Sequence, residues 1–357
     1  MKNLPNLTPL RFFLALIVLI FHLPQLSRNQ GLPYFNNSPI FNKGTEAVYM
    51  FFVLSGFLII RLIYNAKVSK NFSIRNFYMR RALRILPLYY LIVIFGFIFY
   101  NVILPFLKIP FEINYDLKTG ILMTFLFIPN VFATYEPGGI IEILWSIGIE
   151  EQFYLIIAPF IFLLNKKKLL NALILIFLIY FIVYHNDNFA YLKKYNFVYF
   201  FMLSGGIISI LNEKKKLDFL KKTKITTIVI SLITFLFFTT NLFLFKSSFL
   251  YNLFICALFS LFIFSISTGP IDIKNKTLNY LGKISYGIYM YHAIVLNFVV
   301  FIFLKIQKTN TLSDLSIIIL INISTICLTI LTSHFSYKYF ESYFLKLKNN
   351  YKLNNKD

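Results

Sequence analysis

The chain has 357 residues, 58% of them hydrophobic and only 14% charged, with a mean hydropathy of +0.70. Soluble domains of this length carry about a quarter of their residues as charges, so a water-soluble fold is excluded, and with it the nucleic-acid binding that a net charge of +21 would otherwise suggest. Apolar runs recur from residue 12 to residue 334, many near the roughly 20 residues that cross a bilayer as a helix, and they predict an all-α polytopic membrane protein.

Ten spanning helices are predicted, over 8–26, 45–64, 84–104, 143–164, 168–185, 194–211, 224–242, 248–267, 284–305 and 313–334. The first contains RFFLALIVLIFH, from Arg11 to His22. Pro24-Gln25-Leu26-Ser27 gives no small-residue cleavage site, so this run reads as a retained span rather than a signal peptide. Arg11 and His22 are eleven residues apart, about 16 Å along a helix and close to three turns, so they share a face. They fit a snorkelling arginine with a packing histidine, or an anion clamp with a general base or nucleophile along one wall.

The second span carries FFVLSGFLI, where Ser55-Gly56 is either a close-packing notch between helices or a point that lines a substrate path. The third is entered through RNFYMRRALRILPLYY. Arg80 and Arg84 are i,i+4 and Arg81 and Arg84 are i,i+3, so three guanidinium groups gather at the cytoplasmic mouth. Positive charge is expected in such a loop on topology grounds alone. The other basic loops rely mostly on Lys, however, and Arg forks onto phosphate. A further apolar stretch, 117–133, lies among Pro105, Pro110, Pro129 and the run Glu136-Pro137-Gly138-Gly139, all of which break helices. It reads as a re-entrant or interfacial segment on the outer side, acceptable only where protein or a wet cavity covers it.

The fourth span holds LWSIGIEEQFYL, with adjacent carboxylates Glu150 and Glu151 in a chain that has only 14 acidic residues. Charges at mid-membrane are costly and mark a site by default. Ser146, Glu150 and Tyr154 align at i,i+4 spacing, while Glu151 lies about 100° round the helix, so the two acids serve different faces. Later, LGKISYGIYMYHAIVL places Ser285, Tyr289 and His292 near one side. That triplet fits a Tyr–His packing bond as well as a site. Cys256 and Cys327 fall in apolar runs and do not suggest a disulfide framework.

Charge asymmetry sets the topology. With ten spans and both termini cytoplasmic, 26 of the 35 Lys and Arg lie inside, and counting 117–133 as a further span leaves 14 inside. The positive-inside rule selects ten spans.

Together, Arg11 and His22, FFVLSGFLI, RRALRILPLYY, LWSIGIEEQFYL, LGKISYGIYMYH and the closing KYFESY resemble the acyltransferase-3 family of integral-membrane acyltransferases, from Leu7 to about Phe344. The resemblance implies a multi-pass enzyme of the bacterial cytoplasmic (inner) membrane. It would move an acyl group, usually acetyl, from cytoplasmic acyl-CoA to a hydroxyl of a carbohydrate or glycolipid such as O-antigen or capsule. It would use no metal and bind no nucleic acid. The chain stops at Asp357 without the SGNH-type hydrolase domain of some relatives, so it resembles the stand-alone form, with a transmembrane domain over 1–345 and a basic cytoplasmic tail over 346–357.

On this resemblance His22 is the general base or acyl carrier, with Glu150 and Glu151 as catalytic carboxylates. Glu150 is expected in the site and Glu151 as its structural partner. Arg11, Arg80, Arg81 and Arg84 would hold the CoA phosphates, Ser55-Gly56 would leave room for the pantetheine arm, and Trp145, Tyr154 and His292 would contact substrate. The competing reading is a polytopic glycan or lipid transporter, which also places charges in helices but often shows internal repeats. No repeat is apparent here.

Overall fold

Lipid offers backbone groups no hydrogen-bond partner, so apolar chain at membrane depth must satisfy itself as helix. The computed structural model describes residues 4–69, 72–221, 224–309 and 312–351, and all regular structure among them is helical. In chain order the helices are α1 (Leu7–Asn29), α2 (Gly44–Val68), α3 (Ile74–Phe106), α4 (Leu117–Phe125), α5 (Pro129–Phe132), α6 (Gly139–Leu163) and α7 (Leu169–His185). They continue as α8 (Asp187–Lys194), α9 (Tyr199–Glu213), α10 (Lys224–Thr239), α11 (Ser248–Thr268), α12 (Lys276–Lys283), α13 (Ser285–Thr309) and α14 (Asp314–Asn350).

Seven of them (α1, α2, α3, α6, α11, α13 and α14) are long and apolar enough to cross a membrane. The pair α7 and α8, bent by 89°, makes up to eight. The protein is therefore a multi-pass integral membrane protein. Each of the ten predicted ranges is occupied by a helix, but α9 has 15 residues and α10 has 16, short of the roughly 20 that span a bilayer.

The chain forms two compact units. The first comprises Met1–Phe51, Lys222–Leu244 and Ser265–Phe340. Here α1 packs along α13 and the short α12, and α13 pairs with α14. Phe12, Ala15, Leu19 and Leu23 follow helical spacing on α1 and bury against Ile284, Ile288, Val295, Leu296 and Val299. Asn6, at φ +62°, staples the start of α1 by donating to the carbonyls of Ile266 (2.9 Å) and Ile271 (2.7 Å) and accepting from Ile273 N–H (2.8 Å).

At its other end α1 stops in a Schellman turn. Leu32 N–H bonds Ser27 O (2.9 Å), Gly31 N–H bonds Arg28 O (3.1 Å), and Gly31 takes the left-handed φ of +72°. Leu32, 2% exposed, anchors the turn in the core, and the segment that follows folds back towards α1.

The second unit comprises Phe52–Lys221, Phe245–Phe264 and Glu341–Asp357. Glycines bring α2 and α9 into backbone contact. An added Cβ would lie 1.9 Å from Met202 O at Gly56 and 2.0 Å from Val53 O at Gly205. Lys67, at the end of α2, caps α6 by donating to the carbonyls of Ile161, Phe162 and Leu164. α3 begins at Ile74, with Ser73 accepting from Asn76 N–H at 3.3 Å, ten residues before the predicted start. The arginine cluster therefore stands on helix rather than in a loop, so its i,i+3 and i,i+4 spacing becomes proximity on one face. The end of α14 lies against α3. Of the expected tail, residues 352–357 lie outside the described residues.

The stretch 117–133 forms two helices of nine and four residues, too short to cross. Asp116 caps α4 by accepting from Thr119 N–H and Oγ1–H, both at 2.9 Å. The break before α5 holds Phe127 at φ +58°, a strained conformation for a large side chain. Gln152 on α6 holds it there, donating to Phe127 O (2.6 Å) and Asn130 Oδ1 (2.8 Å) and accepting from the Tyr199 hydroxyl (2.5 Å). Gly148 admits Pro129 beside it, within 2.6 Å of where a Cβ would stand.

Candidate active site

In the first unit, the packing of α1 on α13 brings two histidines together. The rings of His22 and His292 are 5.2 Å apart at 31°. His22 Nδ1 donates to Gln25 Oε1 at 3.2 Å, one turn on along α1. An amide oxygen accepts and cannot donate, so this bond fixes the hydrogen on Nδ1 and leaves Nε2 with its lone pair. Phe21 meets the His22 ring edge-on at 4.9 Å.

His292, 1% exposed, is held likewise. Its Nδ1 donates to Tyr289 O at 2.5 Å, and Nε2 is buried with no hydrogen-bond partner. Buried polar atoms are rarely left unmet, and an unfilled acceptor in such a place suits a ligand donor. Tyr289 rests against Phe51, rings 6.5 Å apart. Ser285 bonds back to Gly282 O at 3.0 Å, a local helix-end contact. Arg11 lies on the same helix as His22, three turns nearer the N-terminus.

The second unit holds the carboxylates. Glu150 accepts from the Ser55 hydroxyl at 2.6 Å and the Tyr154 hydroxyl at 3.2 Å, which joins α2 to α6. Glu151 is buried, and its Oε1 has no hydrogen-bond partner. The Arg81 guanidinium sits over the Tyr154 ring, 5.9 Å from its centre, and its Nε is also buried without a partner. Trp145 meets Phe52 edge-on at 5.8 Å. Arg80 donates to the carbonyls of Lys348 (3.4 Å) and Tyr351 (3.0 Å), which fastens the end of α14 to α3. Lys348 stands in the repulsive field of Arg80, Arg81 and Arg84, an arrangement that a polyanion would relieve.

Of the expected residues, Ser55, Glu150, Tyr154 and Arg81 form one cluster with Glu151, and His22 joins His292. Gly56 has a different part from the one expected. The backbone of α9 fills the space beside it, so no passage for a pantetheine arm opens there. Close helix approach needs a residue without Cβ, and that need explains the glycine. Gln25 and Gln152 were not singled out from sequence. Gln25 lies three residues after His22, a spacing that puts it on the same helix face, whereas the partners of Gln152 come from distant segments with no local signal. Among the described residues no three His, Cys, Asp or Glu side chains gather as a metal site.

One expected outcome tests the carboxylate network. Glu150→Ala removes the acceptor of the Ser55 and Tyr154 hydroxyls and should cost about 1–3 kcal/mol, the penalty of unmet buried polar groups. Glu150→Gln keeps an acceptor and should recover most of it, as read by thermal melting in detergent.

Three comparisons with known proteins bear on this arrangement. The O-acetyltransferase OatA of Staphylococcus aureus is 26% identical over 372 residues, covering 96% of this chain and 57% of the relative. The peptidoglycan O-acetyltransferase OatA of Listeria monocytogenes is 25% identical over 324 residues, 82% of this chain and 49% of the relative. The chain thus spans about half the length of these two relatives. ORF330 of Acidianus two-tailed virus is 30% identical over 313 residues, 82% of this chain and 83% of the relative. No solved structure matches. The sequence model described as an acyltransferase domain matches residues 5–334, and this chain, with its paired histidines and its mid-helix carboxylates, belongs to that acyltransferase-3 family.

Proposed function

We propose that this protein is a membrane O-acyltransferase that moves an acyl group, in the first instance acetyl, from cytoplasmic acyl-CoA to a hydroxyl of a cell-envelope glycan or glycolipid. The observation that carries this reading is the His22 imidazole, held by Gln25 with its hydrogen on Nδ1 and a free lone pair on Nε2. The names of the relatives, both O-acetyltransferases, support the direction.

In the proposed step, Nε2 takes the proton of the acceptor hydroxyl as its oxygen attacks the thioester carbonyl. The carbon–sulfur bond breaks, and the CoA sulfur leaves with the proton from the imidazolium. A route in which His22 first carries the acyl group balances equally. His292 offers its unfilled Nε2 to the acceptor. Glu150 and Glu151 are the carboxylates of the second unit, with Glu150 organising Ser55 and Tyr154 and Glu151 presenting its unmet oxygen; Trp145 and Tyr154 line acceptor or thioester.

Arg81 and Arg84 of the second unit are assigned to the CoA phosphates, with Arg80 contributing the donors it does not spend on the C-terminal segment, and Arg11, on the helix of His22 in the first unit, is assigned to the same kind of anion. The topology that suits this chemistry is ten helices with cytoplasmic termini in a bacterial cytoplasmic membrane. The transmembrane domain would cover 1–345 and the tail 346–357, and the broken segment at 117–133 would lie on the outer side.

The test is release of free thiol from acetyl-CoA by purified protein in nanodiscs, with mass spectrometry of the acceptor. Acetyl-CoA left intact beside a competent acceptor would count for transport instead. Arg81→Gln and Arg84→Gln should each raise KM for acetyl-CoA about tenfold, the loss of one charge-assisted bond, with little change in kcat. Neither should alter KM for S-acetyl-pantetheine, which lacks phosphate.

A further inference from the structure

Where α1 ends, the Schellman turn at Gly31 sends the chain back past the last turns of its own helix. The concavity this leaves has a volume of about 220 Å3. Its wall carries three kinds of group. Phe21, Tyr34 and Phe41 supply aromatic surface, Gln25 and Asn36 supply amides, and Arg28 is the one charged residue that lines it. Among the described residues the Arg28 guanidinium has no hydrogen-bond or ion-pair partner.

We propose that this pocket is a subsite for a single acidic sugar ring of the acceptor, one bearing a carboxylate or a phosphate. The inference rests on the acyl-transfer reading above and names the class of its acceptor.

Four features of the site point to such a ring. Its volume is below the roughly 300 Å3 where sites for drug-sized ligands begin, which suits one six-membered ring. Aromatic faces take up the C–H face of a pyranose, as they do other amphipathic surfaces. Amides both donate and accept, which matches vicinal hydroxyls. An unpaired guanidinium recognises a carboxylate or phosphate through a fork of two bonds, and no acid in the lining neutralises it.

Gln25 ties the subsite to the chemistry, since it lines the pocket and holds His22 at 3.2 Å. The subsite thus begins at the side chain that positions the proposed base. The pocket is further shaped by Gly44, where an added Cβ would stand 2.4 Å from the Phe21 ring.

The experiment uses the full chain in phosphatidylcholine nanodiscs without acyl donor, and reads binding by saturation-transfer NMR. The probes are a hyaluronan tetrasaccharide, which carries glucuronate, and neutral chitotetraose. The acidic probe should bind at least about tenfold more tightly, the worth of one charge-assisted contact. Arg28→Gln should abolish that preference, Arg28→Lys should retain part of it, and Tyr34→Ala should weaken both probes. Arg28 and Tyr34 are exposed, so these variants should fold, as monodispersity and thermal melting would show.

Failure of both probes to bind, an unchanged preference in Arg28→Gln, or equal displacement by glycerol 1-phosphate would overturn the proposal. Because binding is read without transfer, intact binding with no thiol release would count against the acyl-transfer reading. Thiol release with no probe binding would count against the subsite alone.

Discussion

His22→Ala should lower kcat for acyl transfer by about 10²–10⁴-fold, the usual contribution of a positioned general base, and leave KM for acetyl-CoA nearly unchanged. The size follows from how thoroughly the ring is positioned. Gln25 fixes its tautomer, Phe21 meets its edge, and His292 faces it at 5.2 Å.

Gln25→Ala leaves the base present but frees its tautomer and orientation, so it should lower kcat by a smaller factor. Loss of kcat in His22→Ala with a normal melting temperature separates a chemical role from a structural one. In cells, mass spectrometry of surface glycans should show the same missing ester-linked acyl group in the deletion and in His22→Ala. If the deletion lost that ester while His22→Ala kept it, His22 would not be the base.

How far the sequence predicts this arrangement depends on the range of the interaction. The Arg11–His22 spacing and the Glu150-Glu151 pair stand out because ionisable groups are scarce in apolar helices, and helical geometry turns separation into facing. The same geometry places Ser55 and Glu150 within their own helices, but not against each other across 95 residues. The break at 117–133 was visible in its prolines. The residue that holds it, Gln152, lies on a different helix and reads as an ordinary polar position.

α3 starts ten residues before the predicted start because hydropathy falls off across Arg75 to Arg84 while helical structure does not. Arginine is a good helix former, and a span can extend as helix into the interfacial region. The pocket at the end of α1 depends on a chain reversal at Gly31 and on residues with no periodicity, so no pattern announced it. Gly56 was legible as a glycine in a helix, yet sequence alone could not choose between a passage for substrate and a passage for another backbone.

That choice has the largest consequence for stability. Gly56→Ala should lower stability by at least about 3 kcal/mol, the upper end for overpacking a core. The added Cβ would stand 1.9 Å from the carbonyl oxygen of Met202, a backbone atom inside α9 that no rotamer change can move. A contact of 3.0 Å, the least a real Cβ shows, requires α2 and α9 to part by about 1.1 Å. Parting them would loosen Val53, Phe57, Phe201 and Met202, all wholly buried. It would also displace Ser55, the next residue, from its 2.6 Å bond to Glu150, so the carboxylate cluster should fail together with the fold.

In detergent this corresponds to a melting temperature lower by about 6–12 °C, at 2–4 °C per kcal/mol for larger domains. Two other glycines calibrate the result. Gly31→Ala meets no atom within 4 Å but must hold φ at +72°, a strain of about 1 kcal/mol. Gly139→Ala meets neither a neighbour nor a positive φ and should cost little. The expected order of destabilisation is Gly56→Ala, Gly31→Ala, Gly139→Ala. Gly205→Ala should fall with the first, since its Cβ would stand 2.0 Å from Val53 O on the opposing helix. If Gly56→Ala and Gly205→Ala melted like Gly139→Ala, α2 and α9 would not touch backbone to backbone, and the space beside Ser55 would be open to substrate after all.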